Sequence, residues 1–203
     1  MPHVKPPVTR RGRATRERIL QAAAELVAEK GAAAMSLDDI RARTGASRSQ
    51  LYHYFEDRDD LIRAVIGVTT DAVIHAQADL LDHLDSWAGI DQWFDSHVQV
   101  QVEREAAGGC PIGSLVGQLA EQDADARTAI AAGLERWEAH LRGGLTRMKA
   151  RGKLREDADP AALATATMAS IEGGLLLTQV RRDPRQLRIA LNAARANLRL
   201  AAA

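Results

Sequence analysis

The stretch SLDDIRARTGASRSQLYHYF, residues 36–55, holds two helix-start signals with one stop between them. Ser36 followed by Asp39 matches the pattern in which a hydroxyl caps the amide three residues on while an acidic side chain reaches back. Ser47 with Gln50 repeats it at once. Gly45 ends the first helix after about two turns, so the segment reads as two short helices joined by Gly45-Ala46, a tight helix-turn-helix whose first member buries Leu37 and Ile40. The second helix, Arg48 to Tyr54, carries an unusual load. The chain has only three Trp, two Tyr and two Phe, and LYHYF takes three of these seven. At 100° per residue Leu51 and Phe55 share one narrow sector, which suits packing, while Ser49, Gln50 and His53 face the other way. Tyr52 and Tyr54 are expected to flank that polar face, with their hydroxyls within reach of phosphates. Arg48, Ser49 and Gln50 occupy the first turn, the part of a recognition helix that meets base edges in the major groove. Arg and Gln can grip guanine and adenine bidentately.

Outward from this segment the pattern stays helical. From Thr15 to Lys30, Ile19, Ala23, Leu26 and Val27 recur at helical spacing, with Thr15 as the expected N-cap and Gly31 as the stop. Before it, His3 to Arg13 is basic and Pro-rich without periodicity and reads as a mobile arm. Beyond residue 57 longer helices are expected over 58–84, 90–107, 114–121, 124–151, 160–180 and 184–200. Pro160 and Pro184 suit first helical turns. No alternating strand pattern occurs. The expected fold is all-α: a flexible arm over 1–14, a three-helix DNA-binding domain over 15–57, and a larger helical domain over 58–203.

Composition narrows the function. The 203 residues have a net charge of zero, but residues 1–55 carry +5 and residues 56–203 carry −5. Such asymmetry points to a nucleic-acid or membrane contact at the basic end. No apolar run approaches the ~18 residues that a membrane helix needs, and MPHVKPPVTRRGR lacks the apolar core of a secretory signal, so a soluble, cytoplasmic protein without a membrane contact is expected. The single cysteine, Cys110, excludes an intramolecular disulfide framework and a multi-cysteine zinc site.

Residues 15–66, TRERILQAAAELVAEKG followed by MSLDDIRARTGASRSQLYHYFEDRDDLIRAVI, resemble the DNA-binding domain of the TetR family of transcriptional repressors. The resemblance implies a homodimer whose two N-terminal domains read a palindromic double-stranded operator and whose C-terminal domains bind a small hydrophobic inducer. Carried over by position, Thr15, Arg16 and Ser36 would contact phosphate. Arg48, Ser49, Gln50, Tyr52 and His53 would face the groove, with Tyr54 toward the backbone. Arg58 stands where the family usually has lysine; a cation there can still meet phosphate, though a guanidinium fork can hold it differently.

In the C-terminal half, GGCPIGSL at 108–115 and IEGGLLL at 171–177 resemble the subgroup containing multidrug- and flavonoid-responsive repressors. The family's dimer surface is its last two helices. Ala166, Ser170, Gly173, Gly174 and Leu177 offer small residues for close approach, and Leu187, Leu191, Ala194 and Leu198 form a stripe on the final helix; these nine are the expected interface. Expected pocket residues are Trp93, Phe94, His97, Cys110, Trp137, His140 and Glu172, each aromatic, titratable or an isolated polar group beside apolar segments. Glu172 lies in the least polar helix, where an unpaired carboxylate would be costly.

Competing chemistries have little support. No Glu-x-x-His pair, GxSxG, HExxH or phosphate-binding loop occurs, so no enzyme and no cofactor are expected. His75, Asp79 and His83 are spaced four apart, as metal ligands can be, but His75 projects away from the core side and no metal site is expected. Cys110 leaves electrophile sensing open as a minor alternative.

Overall fold

A computed structural model of the protein describes residues 9–203, which form helices and no strand: α1 (Arg10–Lys30), α2 (Leu37–Thr44), α3 (Arg48–Tyr54), α4 (Arg58–His75), α5 (Ala78–Leu81), α6 (Trp87–Glu103), α7 (Pro111–Leu119), α8 (Ala124–Ala150), α9 (Pro160–Arg181) and α10 (Arg185–Leu200). The all-α expectation holds. The first eight residues of the expected arm lie outside the described residues. Its remainder is helical, because Thr9, in extended backbone, accepts a hydrogen bond from the Gly12 amide at 3.0 Å and starts α1 early. Thr15 is therefore not the N-cap but an interior residue, donating its hydroxyl to the Arg11 carbonyl at 3.0 Å.

The helix expected over 58–84 is two helices. The Gln77 amide turns back to the Ile74 carbonyl at 3.1 Å, ending α4 at His75, and the short α5 follows. His75, Asp79 and His83 thus do not share one continuous helix, and the His83 ring is tied to the Asp79 carbonyl at 2.7 Å. Among the described residues no group of three His, Cys, Asp or Glu side chains could hold a metal.

The chain divides into two compact units. One contains the described residues up to Val73 together with Ser114–Gly133; the other contains Ile74–Gly113 and Leu134–Ala203. In the first, α1 contributes Ile19, Leu20, Ala23, Leu26 and Val27 to a core shared with Met35, Ile40, Leu51, Phe55, Leu61, Ile62, Val65 and Ile66. Leu115, Ala126 and Ile130 of the later segment are also buried. Leu37 is only half-buried; Met35, just before the helix, is the residue sealed in.

In the second unit α9 and α10 pack side by side. Gly174 permits this: a Cβ there would lie 2.8 Å from Leu187 Cδ1 and 3.0 Å from Ala190 Cβ. The Leu187 amide donates to the Thr178 hydroxyl at 3.0 Å across the same seam. By length and composition α9 is apolar enough to cross a membrane, which corrects the expectation that no segment is. Its Thr, Ser, Gly and Glu172 residues interrupt the apolar runs, while its Ala, Leu and Ile residues keep the overall hydropathy high. Here its Ile171, Gly174, Leu175 and Thr178 are buried within the unit.

Candidate functional site

The helix-turn-helix is built as its two capping signals predict. Ser36 accepts from the Asp39 amide at 3.2 Å while Asp39 accepts from the Ser36 amide at 2.9 Å; Ser47 and Gln50 do the same at 3.1 and 2.8 Å. Gly45 takes the left-handed conformation, φ +68°, which glycine adopts without the steric cost of a Cβ. Lys30 meets Asp39 at 2.6 Å and Arg43 grips Glu29 with two 2.8 Å bonds, tying both ends of α2 to α1. The Lys30 ammonium and the Ser36 bonds hold the Asp39 carboxyl well below the usual carboxylate range.

Arg48, Ser49, Gln50, Tyr52 and His53 are all exposed and lie on one short helix. The Arg48 guanidinium rests 5.7 Å from the Tyr52 ring centre, so the two present a joined cationic and aromatic surface. The tyrosines are not equivalent, contrary to the flanking expectation. Tyr52 is 45% exposed, whereas Tyr54 is 9% exposed and edge-on to His53 at 4.8 Å. Tyr54 follows Leu51 by three residues and so turns with it toward the core.

Three further residues have duties that sequence reasoning assigned only in part. Gln50 Oε1 is engaged by the Ser47 amide, so a bidentate grip on adenine would require it to leave its cap. Gln50→Ala is therefore expected to lower stability by about 1 kcal/mol as well as to weaken DNA reading, a loss visible in thermal unfolding without DNA. Arg16, half-buried, lies 5.3 Å from the Phe55 ring centre. Arg58 donates from Nε to the Met35 carbonyl at 3.1 Å and from Nη2 to the Ala32 carbonyl, so this fork is occupied by protein backbone rather than free for phosphate. A lysine could not bridge the two carbonyls in this way.

In the second unit, the pocket residues expected from sequence separate into three places. Trp93, His97 and Gln101 follow at intervals of four along α6 and form one ridge. Trp137 of α8 stacks on His97 with ring centres 6.0 Å apart and meets Trp93 edge-on at 6.4 Å; Phe94 adjoins Trp93 at 5.6 Å. Trp93 Nε1 donates to Gln77 at 2.8 Å, while Trp137 Nε1 and Gln101 Oε1 are buried without a hydrogen-bond partner. Burial holds the His97 imidazole below its ordinary pKa, hence neutral at pH 7, with the Trp93 carbonyl at 2.8 Å opposing the shift. Gln101 escaped the sequence reading, although its spacing from Trp93 and His97 could have found it.

Cys110 and Glu172 form a second group. The thiol donates to the carboxylate, burial and the nearby negative charge push its pKa up to about 12, and the Gly113 amide at 3.3 Å opposes this. Burial likewise raises the Glu172 carboxyl, whose Oε1 has no partner. Gly113 is needed here, since a Cβ would strike Glu172 Oε2. Cys110 is therefore a buried, protonated thiol, which runs against electrophile sensing. His140 belongs with neither group: it is exposed, on an open groove of about 290 Å³ with Asp82, Arg136 and Arg147.

The nine expected interface residues also divide. Leu187, Leu191, Ala194 and Leu198 are buried within this one chain, and Gly174 lies under α10, so these five are intrachain core and not a free surface. Ala166, Gly173 and Leu177 are exposed and Ser170 is half-buried. The apolar groups actually presented to solvent are Leu176, Leu177 and Val180 on α9, with Ile189, Ala193, Ala196 and Leu200 on α10. The α10 set recurs at intervals of four, three and four, a second stripe on the opposite side of the buried one.

Comparison with known proteins agrees with this architecture. The profile described as bacterial regulatory proteins, tetR family, matches residues 19–65, and that described as tetracyclin repressor-like, C-terminal domain, matches residues 87–194. An uncharacterized HTH-type transcriptional regulator in the lacX 3' region of Lactococcus lactis is 30% identical over 179 residues, covering 84% of this chain and 86% of the relative. The transcriptional regulator AcuR of Cereibacter sphaeroides is 28% identical over 170 residues, covering 82% and 78%. A TetR transcriptional regulator from Chloroflexus aurantiacus superposes with a TM-score of 0.77 at 25% identity, over 96% of this chain and 98% of that one.

Proposed function

Because the chain belongs to the tetR family of bacterial regulatory proteins, helix-turn-helix transcriptional regulators that bind DNA, we propose that it is a cytoplasmic repressor that binds a palindromic operator as a homodimer and is released by a small hydrophobic inducer. The observation that carries the reading is the exposed face of α3. Arg48, Ser49, Gln50, Tyr52 and His53 project from a helix whose start is double-capped and whose Leu51, Tyr54 and Phe55 side is buried. Such a helix offers a rigid, polar, partly cationic edge of the size a major groove admits.

Homodimerisation through α9 and α10 is supported by the exposed apolar stripes on both helices, which water would otherwise cover at a cost in free energy. Two-fold pairing would set half-sites about one helical turn, ~34 to 36 Å, or a multiple of it apart. An apolar, aromatic inducer is supported by the Trp93, His97 and Trp137 rings and by the unpartnered polar atoms on Trp137 and Gln101, which a ligand could satisfy. The likeness of GGCPIGSL and IEGGLLL to the multidrug- and flavonoid-responsive subgroup stands within the same proposal. Release requires that the inducer bind the DNA-incompetent state more tightly, with a typical coupling of ~1 to 3 kcal/mol.

The test is selection of bound fragments from genomic DNA by the purified protein, with measured stoichiometry on the recovered duplex. Two chains per palindrome are expected, and a monomer on its operator at micromolar concentration would sink the proposal. On that duplex, Arg48→Ala should relax base preference, whereas Arg16→Ala should weaken all sequences alike and reduce the salt slope by about one. Equal loss of discrimination by both would overturn this division of contacts.

A further inference from the structure

The segment that leads from α1 into α2 has its backbone held by side chains from far along the chain. Gly31, at φ +87°, ends α1, and Ala32 after it is fully buried. The Ala32 amide donates to Gln118 Oε1 of α7 at 2.6 Å. The Ala32 carbonyl accepts from Arg58 Nη2, and Arg58 Nε reaches the Met35 carbonyl at 3.1 Å, immediately before the Ser36 cap. Gln118 is itself braced, its Nε2 donating to the Ser114 carbonyl at 3.0 Å. All these residues belong to the same compact unit, although Gln118 stands outside the matched DNA-binding region.

We propose that Gln118 is a positioning residue for DNA reading: together with Arg58 it clamps the Ala32 peptide and thereby fixes where α2 and α3 stand on α1. The physical reason is that both backbone polar groups of a buried residue need partners, and a buried amide left without one carries the full penalty of its lost hydration. With the clamp closed, one position of the Ala32–Met35 segment is favoured. With Gln118 withdrawn, the orphaned amide seeks water, the segment shifts, and Ser36 and α3 shift with it. Gln118 touches no base or phosphate in this account and acts only through the peptide that it holds.

The inference rests on the proposed DNA binding, and the experiment separates the two. Gln118→Leu removes the acceptor at similar volume, whereas Gln118→Glu keeps an oxygen on the Ala32 amide. Operator affinity, helical content and hydrogen exchange at the Ala32 amide are measured for the wild-type chain and both variants on the recovered duplex. The expected result is on the order of 5- to 10-fold weaker operator binding by Gln118→Leu, with helical content unchanged and Ala32 exchange accelerated, and a smaller loss with slower Ala32 exchange for Gln118→Glu, which keeps the Ala32 contact but gives up the Nε2 bond to the Ser114 carbonyl. Wild-type affinity in folded Gln118→Leu, or equal loss in both variants, overturns the proposal. If Gln118→Leu does not fold, the wild-type exchange decides: an Ala32 amide exchanging as fast as an exposed one would mean that no clamp exists. A wild-type chain that binds no duplex at all would instead defeat the DNA-binding proposal, leaving the Ala32 exchange as the sole test of the clamp.

Discussion

Val180→Glu combined with Ile189→Glu is expected to leave each chain folded and to convert a dimer into a monomer at micromolar concentration. Val180 and Ile189 are 73% and 64% exposed, so neither substitution opens a cavity or buries a charge within the chain. In a two-fold pairing each appears twice, so the double variant places four carboxylates in a surface otherwise made of Leu176, Leu177, Ala193 and Ala196. Desolvating unpaired charges costs several kcal/mol each, enough to raise the dissociation constant by many orders of magnitude. Leu191→Ala supplies the contrast. Leu191 is buried between α10 and its neighbours in one chain, and its truncation is expected to cost about 2 to 5 kcal/mol of folding stability. Sedimentation velocity and thermal unfolding of the two variants separate the roles. A double variant that remains dimeric would move the interface elsewhere.

Cys110 is expected to react with a soluble maleimide or disulfide reagent ~10³-fold more slowly in the native protein than an ordinary cysteine does. The thiolate is the nucleophile, and a pKa pushed from 9.0 to about 12 reduces its abundance near pH 8 by about that factor before any shielding is counted. Burial against Gly113 and Glu172 slows reagent access further. In denaturant the thiol should recover its ordinary rate, which serves as the internal control. Because the folded-state pKa is raised, the native protein holds the proton more tightly than the unfolded chain; the stability this contributes is full below pH 9 and is lost as pH rises toward about 12. Native labelling within tenfold of the free-thiol rate would overturn this picture and bring electrophile sensing back into question.

The double-capped helix-turn-helix was legible because its determinants are local. A hydroxyl, an acid or amide three residues on, and a glycine stop act within one turn of backbone, so residues 36–55 specify α2 and α3 almost to the residue. The same locality makes the solvent side of α3 readable from a 100° projection; Tyr54 is buried despite its hydroxyl because its three-residue offset from Leu51 turns it toward the core. Where a choice depended on a second element, local rules had no hold. Two apolar stripes run along α10, and helical periodicity alone cannot say which meets α9 and which meets water; the small side of Gly174 decides it by admitting Leu187 and Ala190. Arg58 is a cation at a helix start by sequence, but the carbonyls of Ala32 and Met35 claim its fork, and Gln118 reaches Ala32 from 86 positions away. Cys110 is a buried thiol for the same kind of reason: its neighbour Glu172 is brought to it by folding, and burial raises the pKa of both.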